Sequence, residues 1–235
     1  MTQIAVMSYN VRGLRDDRLA LYDAVRACRP DVLVVQEAPI GLRWRPRCAG
    51  LARECGLVYA AGGRTAGGNL LLVHPRVSVH DISEVRIPQR FGDPIRGVVA
   101  ATVATLHGRV RVVGMHLGLR AAGRKRDLEE VLRVARSHPE LPVVVAGDVN
   151  EPAGGPSWMT LTRAGFSDAA ELAGVPDSER APTFPAREPR TRIDGIFASD
   201  GVEVVEYGLP SAPNLAELLT RASDHMPVRV VLHIQ

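Results

Sequence analysis

Nine short apolar runs rich in β-branched residues punctuate the chain, at residues 4–9, 32–36, 69–73, 98–106, 110–116, 143–147, 192–198, 202–207 and 228–234. Runs of this length bounded by turn-forming residues read as strands. His107-Gly108, between two of them, reads as a tight hairpin turn. Helical periodicity is rarer. A helix capped by Asp16 would place Leu21, Val25 and Cys28 on one face and stop at Pro30. Residues 123–137 carry Leu128, Val131, Leu132 and Ala135 on one stripe with charges opposite. Residues 157–165 and 214–221 read as shorter helices. Strands outnumber helices by about two to one and cluster in adjacent pairs. This predicts an α/β (α+β) chain of stacked, largely antiparallel sheets with helices outside, not a doubly wound parallel sheet.

Nothing in the 235 residues divides this pattern. Residues 174–191, rich in Pro, Arg and Glu, read as a surface loop too short for a linker, and no internal repeat stands out. One domain spanning 1–235 is expected. A chain of this length buries enough surface to fold without a metal or disulfide staple, so any metal serves chemistry. Cys28, Cys48 and Cys55 are an odd set without metal-like spacing, which predicts free thiols in a reducing compartment. The first residues lack a basic and then apolar leader, and no run of about 18 apolar residues occurs. A cytoplasmic, monomeric protein without stable membrane insertion is the expectation.

The polar residues of interest share one placement, at or beside the ends of these apolar runs. Asn10 follows IAVMSY, Glu37 follows VLVVQ and His116 follows VRVVGM. Asp148 and Asn150 follow PVVVAG, Asp194 sits in RIDGIFAS, and Asp224-His225 precede PVRVVLHI. Strand ends held by a rigid sheet are where catalytic groups collect. Each residue alone has an ordinary reading: Asn10 or Asn150 as a turn former, Glu37 as an ion-pair partner, His116 as a satisfied core histidine, Asp224 as a turn initiator. Together they exceed what a fold needs, because buried carboxylates are costly unless paired or bound to metal.

The blocks SYNVRG, VVQE, GDVNEP, RIDGIFAS and SDHMPV resemble, in order, five signature blocks of the endonuclease/exonuclease/phosphatase superfamily. That superfamily includes deoxyribonucleases, abasic-site nucleases, sphingomyelinases and inositol-polyphosphate 5-phosphatases. The resemblance covers residues 10–227, and APTFPAREPRTRID is similar to bacterial members of unassigned substrate. Two departures stand out: Val149 replaces the usual Phe, and His116 stands where abasic-site nucleases carry Tyr, as in the deoxyribonuclease and sphingomyelinase branch.

The resemblance implies a deoxyribonuclease I-like four-layer sandwich, two stacked mixed or antiparallel sheets flanked by helices. It also implies hydrolysis of phosphoric esters assisted by Mg²⁺ or Mn²⁺. Glu37 is then the leading metal ligand, with Asp224 and Asn10 assisting; a hard cation keeps several waters, so few carboxylates suffice. Asp148 would orient and deprotonate water, and Asn150 would bond the phosphate or the water. Asp194 would fix the tautomer of His225, which stabilises the transition state as a cation. His116 would contact the phosphate and protonate the leaving oxygen. Either Asp148 or His225 could be the base.

Substrate class is less constrained. Of 29 Lys and Arg, Lys125 is the one Lys, leaving 28 Arg. The accompanying Ala, Gly, Val and Pro fit a compositional bias, so only particular arginines inform. Arg96, near a strand start, resembles a phosphate-contacting Arg of the deoxyribonuclease branch. Arg120 and Arg124 follow His116 and could form an anionic funnel. The run RWRPR around Trp44 is basic with an interleaved aromatic, a weak nucleic-acid signal. A net charge of +3 and 4% aromatics are modest for a backbone binder. The expected substrate is a small-molecule, nucleotide or lipid-headgroup phosphoester; the alternatives are a DNA or RNA nuclease and, behind it, a non-catalytic binding module. Retention of Glu37, Asp148, Asp194 and His225 argues against the last.

Overall fold

Period-two alternation divides each central strand between two surfaces. The computed structural model describes residues 2–106 and 108–234. In it β1 (Thr2–Asn10) and β2 (Val32–Gln36) send Ile4, Val6, Val32 and Val34 to one face and Met7, Tyr9, Leu33 and Val35 to the other. The strands that follow are β3 (Val58–Gly62), β4 (Leu70–Val73), β5 (Ser78–Ile87), β6 (Arg96–Thr105) and β7 (Gly108–His116). The set closes with β8 (Val143–Asp148), β9 (Ser167–Asp168), β10 (Asp194–Ala198), β11 (Glu203–Tyr207) and β12 (Val228–Ile234). The helices are α1 (Arg18–Cys28), α2 (Trp44–Glu54), α3 (Ala121–Ala135), α4 (Pro156–Arg163), α5 (Ala169–Leu172) and α6 (Leu215–Ala222).

The strands form two six-stranded sheets, ordered β11-β12-β1-β2-β4-β3 and β5-β6-β7-β8-β10-β9. Their inner faces meet in one core, where Val6 and Val34 join Val99, Val112, Val144 and Ile196. The outer face of the first sheet packs on α1, α2 and α6 through Leu21, Leu51 and Leu219. That of the second packs on α3 and α4 through Leu128, Val131, Trp158 and Leu161. The result is a four-layer sandwich. Burial on both faces explains why the central strands read as unbroken apolar runs.

The two strand orders are one pattern, offset by six strands along the chain. Each sheet is antiparallel except for one central parallel pair, β1–β2 and β7–β8. Parallel neighbours need a crossover, supplied by α1 and α3. No sequence repeat announces this symmetry. Its consequence is positional: both parallel pairs end at one edge of the sandwich, where open α/β sheets place their ligands.

Several expectations need correction. Asp17, not Asp16, caps α1, its carboxylate accepting from Ala20 N at 3.1 Å. β3, β5 and β9 were not expected, and all three are edge strands. The RWRPR run opens α2, whose Trp44, Cys48, Leu51 and Ala52 form a buried stripe; the Trp44 ring is thus core, not a stacking platform. Residues 174–191 are more than a surface loop, because Thr183 and Ala186 within them are buried. β6 and β7 do pair as antiparallel neighbours, Thr105 opposite Gly108; the expected turn falls on residue 107, outside the described residues. The three cysteines are free and buried, and burial pushes their thiols up to about 11, 11 and 12. No helix among the described residues is long and apolar enough to cross a membrane.

Candidate active site

β1 ends in Asn10 and β8 in Asp148, one strand from each sheet, and the two side chains meet. Asn10 Nδ2 donates to Asp148 Oδ2 at 3.1 Å and to Glu37 Oε1 at 3.4 Å. Glu37 follows β2 directly, in a left-handed backbone conformation with φ 54°. The side-chain Oδ1 of Asn10 accepts from Arg12 N at 3.0 Å. That bond turns the amide nitrogen, not the oxygen, toward the two carboxylates, so Asn10 holds the carboxylates rather than offering a ligand oxygen between them.

Asp148 is the junction of the site. It is 1% exposed, its Oδ1 accepts from Asn150 N at 2.8 Å, and Oδ2 lies 3.4 Å from His116 Nε2 and 3.8 Å from His225 Nε2. Burial, with the neighbouring charge of Asp194, raises its carboxyl to about 7, against the opposing pull of His225 and the Asn150 and Asn10 hydrogen bonds.

Asp194 opens β10, opposite Asp148 in the β8–β10 register. Its Oδ2 meets His225 Nδ1 at 2.9 Å, in a pair nearly closed to solvent. Burial works against a charged imidazole, but the Asp194 hydrogen bond and the charges of Asp194, Asp148 and Asp224 outweigh it. His225 is pushed up to about 9. His116 is driven the other way, well below 6.5, by burial and by the positive charges of Arg96 and His225. The two imidazoles therefore differ at neutral pH: His225 is a cation and His116 is neutral. A proton-donating His116, expected from sequence, does not fit this environment; a neutral imidazole can still donate one hydrogen bond.

A cleft of about 930 Å³ opens over these groups, lined by Glu37, Arg96, His116, Asp148, Asn150 and His225. Asn10 and Asp194 stand behind that wall as supports. Asn150 Nδ2 donates to Leu117 O at 2.9 Å. Arg96 is held by Nε and Nη1 on the Leu117 and Ile95 carbonyls, both 3.1 Å away. Its position depends on close backbone packing, since a Cβ at Gly97 would lie 2.3 Å from Val85 O and 2.5 Å from Ala66 C.

Three expected site residues lie elsewhere. Asp224 faces Arg12, with Arg12 Nε 3.1 Å from its Oδ2, and does not line the cleft. Arg120 is exposed and lies 3.4 Å from Asp93. Arg124 is tied to Glu151 Oε1 at 2.8 Å. Sequence reasoning missed other contributors. Thr183 Oγ1 accepts from Ile193 N and Asp194 N, and the Phe184 ring lies 5.0 Å from that of His225. Arg15 and Arg47 reach the cleft wall. The TFP segment gave the one readable signal, an apolar interruption in a charged loop.

Asp148, Asp194 and His225 could hold an ion by spacing, since one ligand atom from each lies within 4.8 Å of the others. A protonated His225 has no lone pair free for this. The chemistry of the donor set favours the cleft side, where the carboxylates of Glu37 and Asp148 share the Asn10 amide. The Asp194 Oδ1, buried without a partner among the described residues, adds to an excess of negative charge that suits a hard cation.

A model described as the Endonuclease/Exonuclease/phosphatase family matches residues 7–225. The structure is similar to a mannosyl-6-phosphatase from Bacteroides thetaiotaomicron VPI-5482, with TM-score 0.76, 18% identity, and coverage of 98% of this chain and 100% of that one. It is similar also to D. rerio TDP2 complexed with single strand DNA product, with TM-score 0.70, 18% identity, and coverage of 99% and 100%. An endonuclease/exonuclease/phosphatase from Beutenbergia cavernae DSM 12333 gives TM-score 0.72 at 21% identity, over 100% of this chain and 72% of that one. At these identities the likeness is one of fold. A search of curated proteins gives no match.

Proposed function

The chain belongs to the endonuclease/exonuclease/phosphatase family, and from that premise we propose that it hydrolyses small phosphoric esters with the aid of a divalent cation, Mg²⁺ or Mn²⁺. The observation that carries this reading is geometric: at the floor of the cleft Asp148 Oδ2 lies 3.8 Å from His225 Nε2, whose ring Asp194 holds from the other side, and the Asn10 amide joins Asp148 to Glu37. A general base works best when its pKa lies near the operating pH, and Asp148 meets that condition. It would take the proton of the attacking water. Asn150 would orient that water or a phosphoryl oxygen. His225, kept charged by Asp194, would stabilise charge on the phosphoryl group, and neutral His116 would donate a hydrogen bond to it. Arg96 adds a fixed positive charge at the cleft wall. Glu37, joined to Asp148 through the Asn10 amide, is the carboxylate that would hold the cation, which when bound neutralises charge on the phosphoryl oxygens and the leaving oxygen.

The mannosyl-6-phosphatase supports a small ester as substrate, and the TDP2–DNA structure supports the nuclease alternative. The core position of Trp44 favours the former, since it removes the aromatic of the basic run from the surface. A hydrolysis panel decides: mannose 6-phosphate, p-nitrophenyl phosphate, bis-p-nitrophenyl phosphate and single-stranded DNA, each with Mg²⁺ or Mn²⁺. Turnover of at least one small ester well above DNA is expected. Efficient cleavage of DNA with inert small esters would overturn the small-ester reading.

A further inference from the structure

α3 begins without a side-chain cap and without an acid in its first turn, so its leading N–H groups form an uncompensated positive end. Beside that end lies a second, smaller cavity of about 250 Å³, lined by Arg90, Arg96, Arg120 and Arg126 with Ala122 and Gly123 of the helix. Two of these four guanidinium groups are in ion pairs: Arg120, 3.4 Å from Asp93, and Arg126, 3.2 Å from buried Asp127. Arg90 and Arg96 pair with no carboxylate among the described residues.

Arg96 supplies the second, independent observation. It is 7% exposed, it spends Nε and Nη1 on backbone carbonyls, and its Nη2 has no hydrogen-bond partner among the described residues. It lines both this cavity and the main cleft. Burial works against its charge and the carboxylates of Asp148, Asp127, Glu37 and Asp93 support it, but none of them takes a hydrogen bond from its free Nη2. With Asp93 on Arg120 and Asp127 on Arg126, Arg90 and Arg96 are the two guanidinium groups of the cavity outside ion pairs, and they would meet the roughly −1.5 to −2 charge of a phosphate monoester at neutral pH. The volume is below the roughly 300–1,000 Å³ of pockets that enclose a whole small ligand, so the cavity suits a terminal group.

We propose that this side cavity is a second phosphate subsite, and that the substrate is a small molecule bearing two phosphoryl groups, one over Asp148 and one beside Arg90, with Arg96 between them. This rests on the phosphoester reading of the main cleft, so its test reads binding rather than turnover. Calorimetric titration of the metal-free protein compares thymidine 3′,5′-bisphosphate with thymidine 5′-monophosphate. The bisphosphate is expected to bind at least about tenfold more tightly. Arg90→Ala, at an exposed residue, should remove most of that advantage, and Arg90→Glu should abolish it. Equal affinities in the wild type, or an advantage unchanged in both variants, would overturn the subsite. A gain seen only with a 5′-phosphorylated octanucleotide would overturn the small-substrate assignment. Failure of hydrolysis with the bisphosphate preference intact would count against the catalytic reading alone.

Discussion

Asp194 and Asp148 are both 1% exposed, yet they act differently on the histidine between them. Asp194 accepts from His225 and fixes its charge, while Asp148 is itself raised by the nearby Asp194. The two titrations give separate windows in the metal-free protein. His225 is raised from 6.5 to about 9, so the stability of its charged form is fully present below pH 6.5 and lost as pH rises through about 9. Asp148 is raised from 3.8 to about 7, so its stabilising contribution is fully present below pH 3.8 and lost as pH climbs through about 7. In Asp194→Asn the burial remains and the ion pair goes. His225 should then titrate below 6.5 in NMR spectra, the stability slope between pH 6.5 and 9 should flatten in urea melts, and kcat should fall by about 10²–10⁴. An unchanged His225 titration would break the pair. Asp148→Asn removes a buried charge but keeps an oxygen for the Asn10 amide. It should raise Tm at pH 8 while lowering kcat by at least about 10²-fold, the opposition expected where a site is built at a cost in stability. A lowered Tm with activity retained would contradict both roles.

Elements place these residues, and the elements differ in how far the chain announces them. The six site-bearing strand ends were legible because their strands are buried on both faces and end abruptly in polar residues. β3, β5 and β9 were not, because an edge strand leaves one face and one backbone edge open and needs no apolar run. β5 is mostly exposed and bulged between His80 and Ser83, which erases its alternation. α2 was hidden by Arg45, Pro46 and Arg47 on its outward face. The expected site residues outside the cleft share another feature: Asp224 precedes β12 and Arg124 follows β7, but each pairs with a residue distant in sequence, Arg12 and Glu151. Thr183 and Phe184 were illegible because a long loop gains its position only from what it packs on. The start of β6 offers an element-scale test. A methyl at Gly97 would meet the backbone of both Val85 and Ala66, and overpacking of this kind costs about 1–3 kcal/mol. Gly97→Ala should lower the urea midpoint and, by shifting Arg96, raise KM more than it lowers kcat. Wild-type KM and stability would show that the close contact is relaxed without effect.

At the scale of the molecule, two sheets of one topology meet so that the ends of their parallel pairs face each other, and the cleft takes one wall from each. Asn10 and Glu37 come from one sheet, His116 and Asp148 from the other. The net charge of +3 is spread thinly, with many arginines committed to ion pairs. DNA affinity falls with salt at a log–log slope of roughly −0.9 per phosphate neutralised. Arg15, Arg47 and Arg96 at the cleft then predict a slope no steeper than about −3. Affinities measured between 50 and 200 mM salt (about the range over which tight backbone binders lose most of their affinity) would show it. A slope steeper than about −6 would mean an extended nucleic-acid surface.

The central claim, phosphoester hydrolysis in this cleft with a cation held by Glu37, is tested most directly by one titration. Protein stripped with EDTA is assayed on bis-p-nitrophenyl phosphate and on the best small ester of the panel while Mg²⁺ or Mn²⁺ is added back, for the wild type and for Glu37→Gln. The account predicts no turnover in chelator, saturable recovery in the wild type, and an activation midpoint shifted at least about tenfold upward in Glu37→Gln. Full turnover in EDTA, or a Glu37→Gln curve that overlays the wild type, would contradict it.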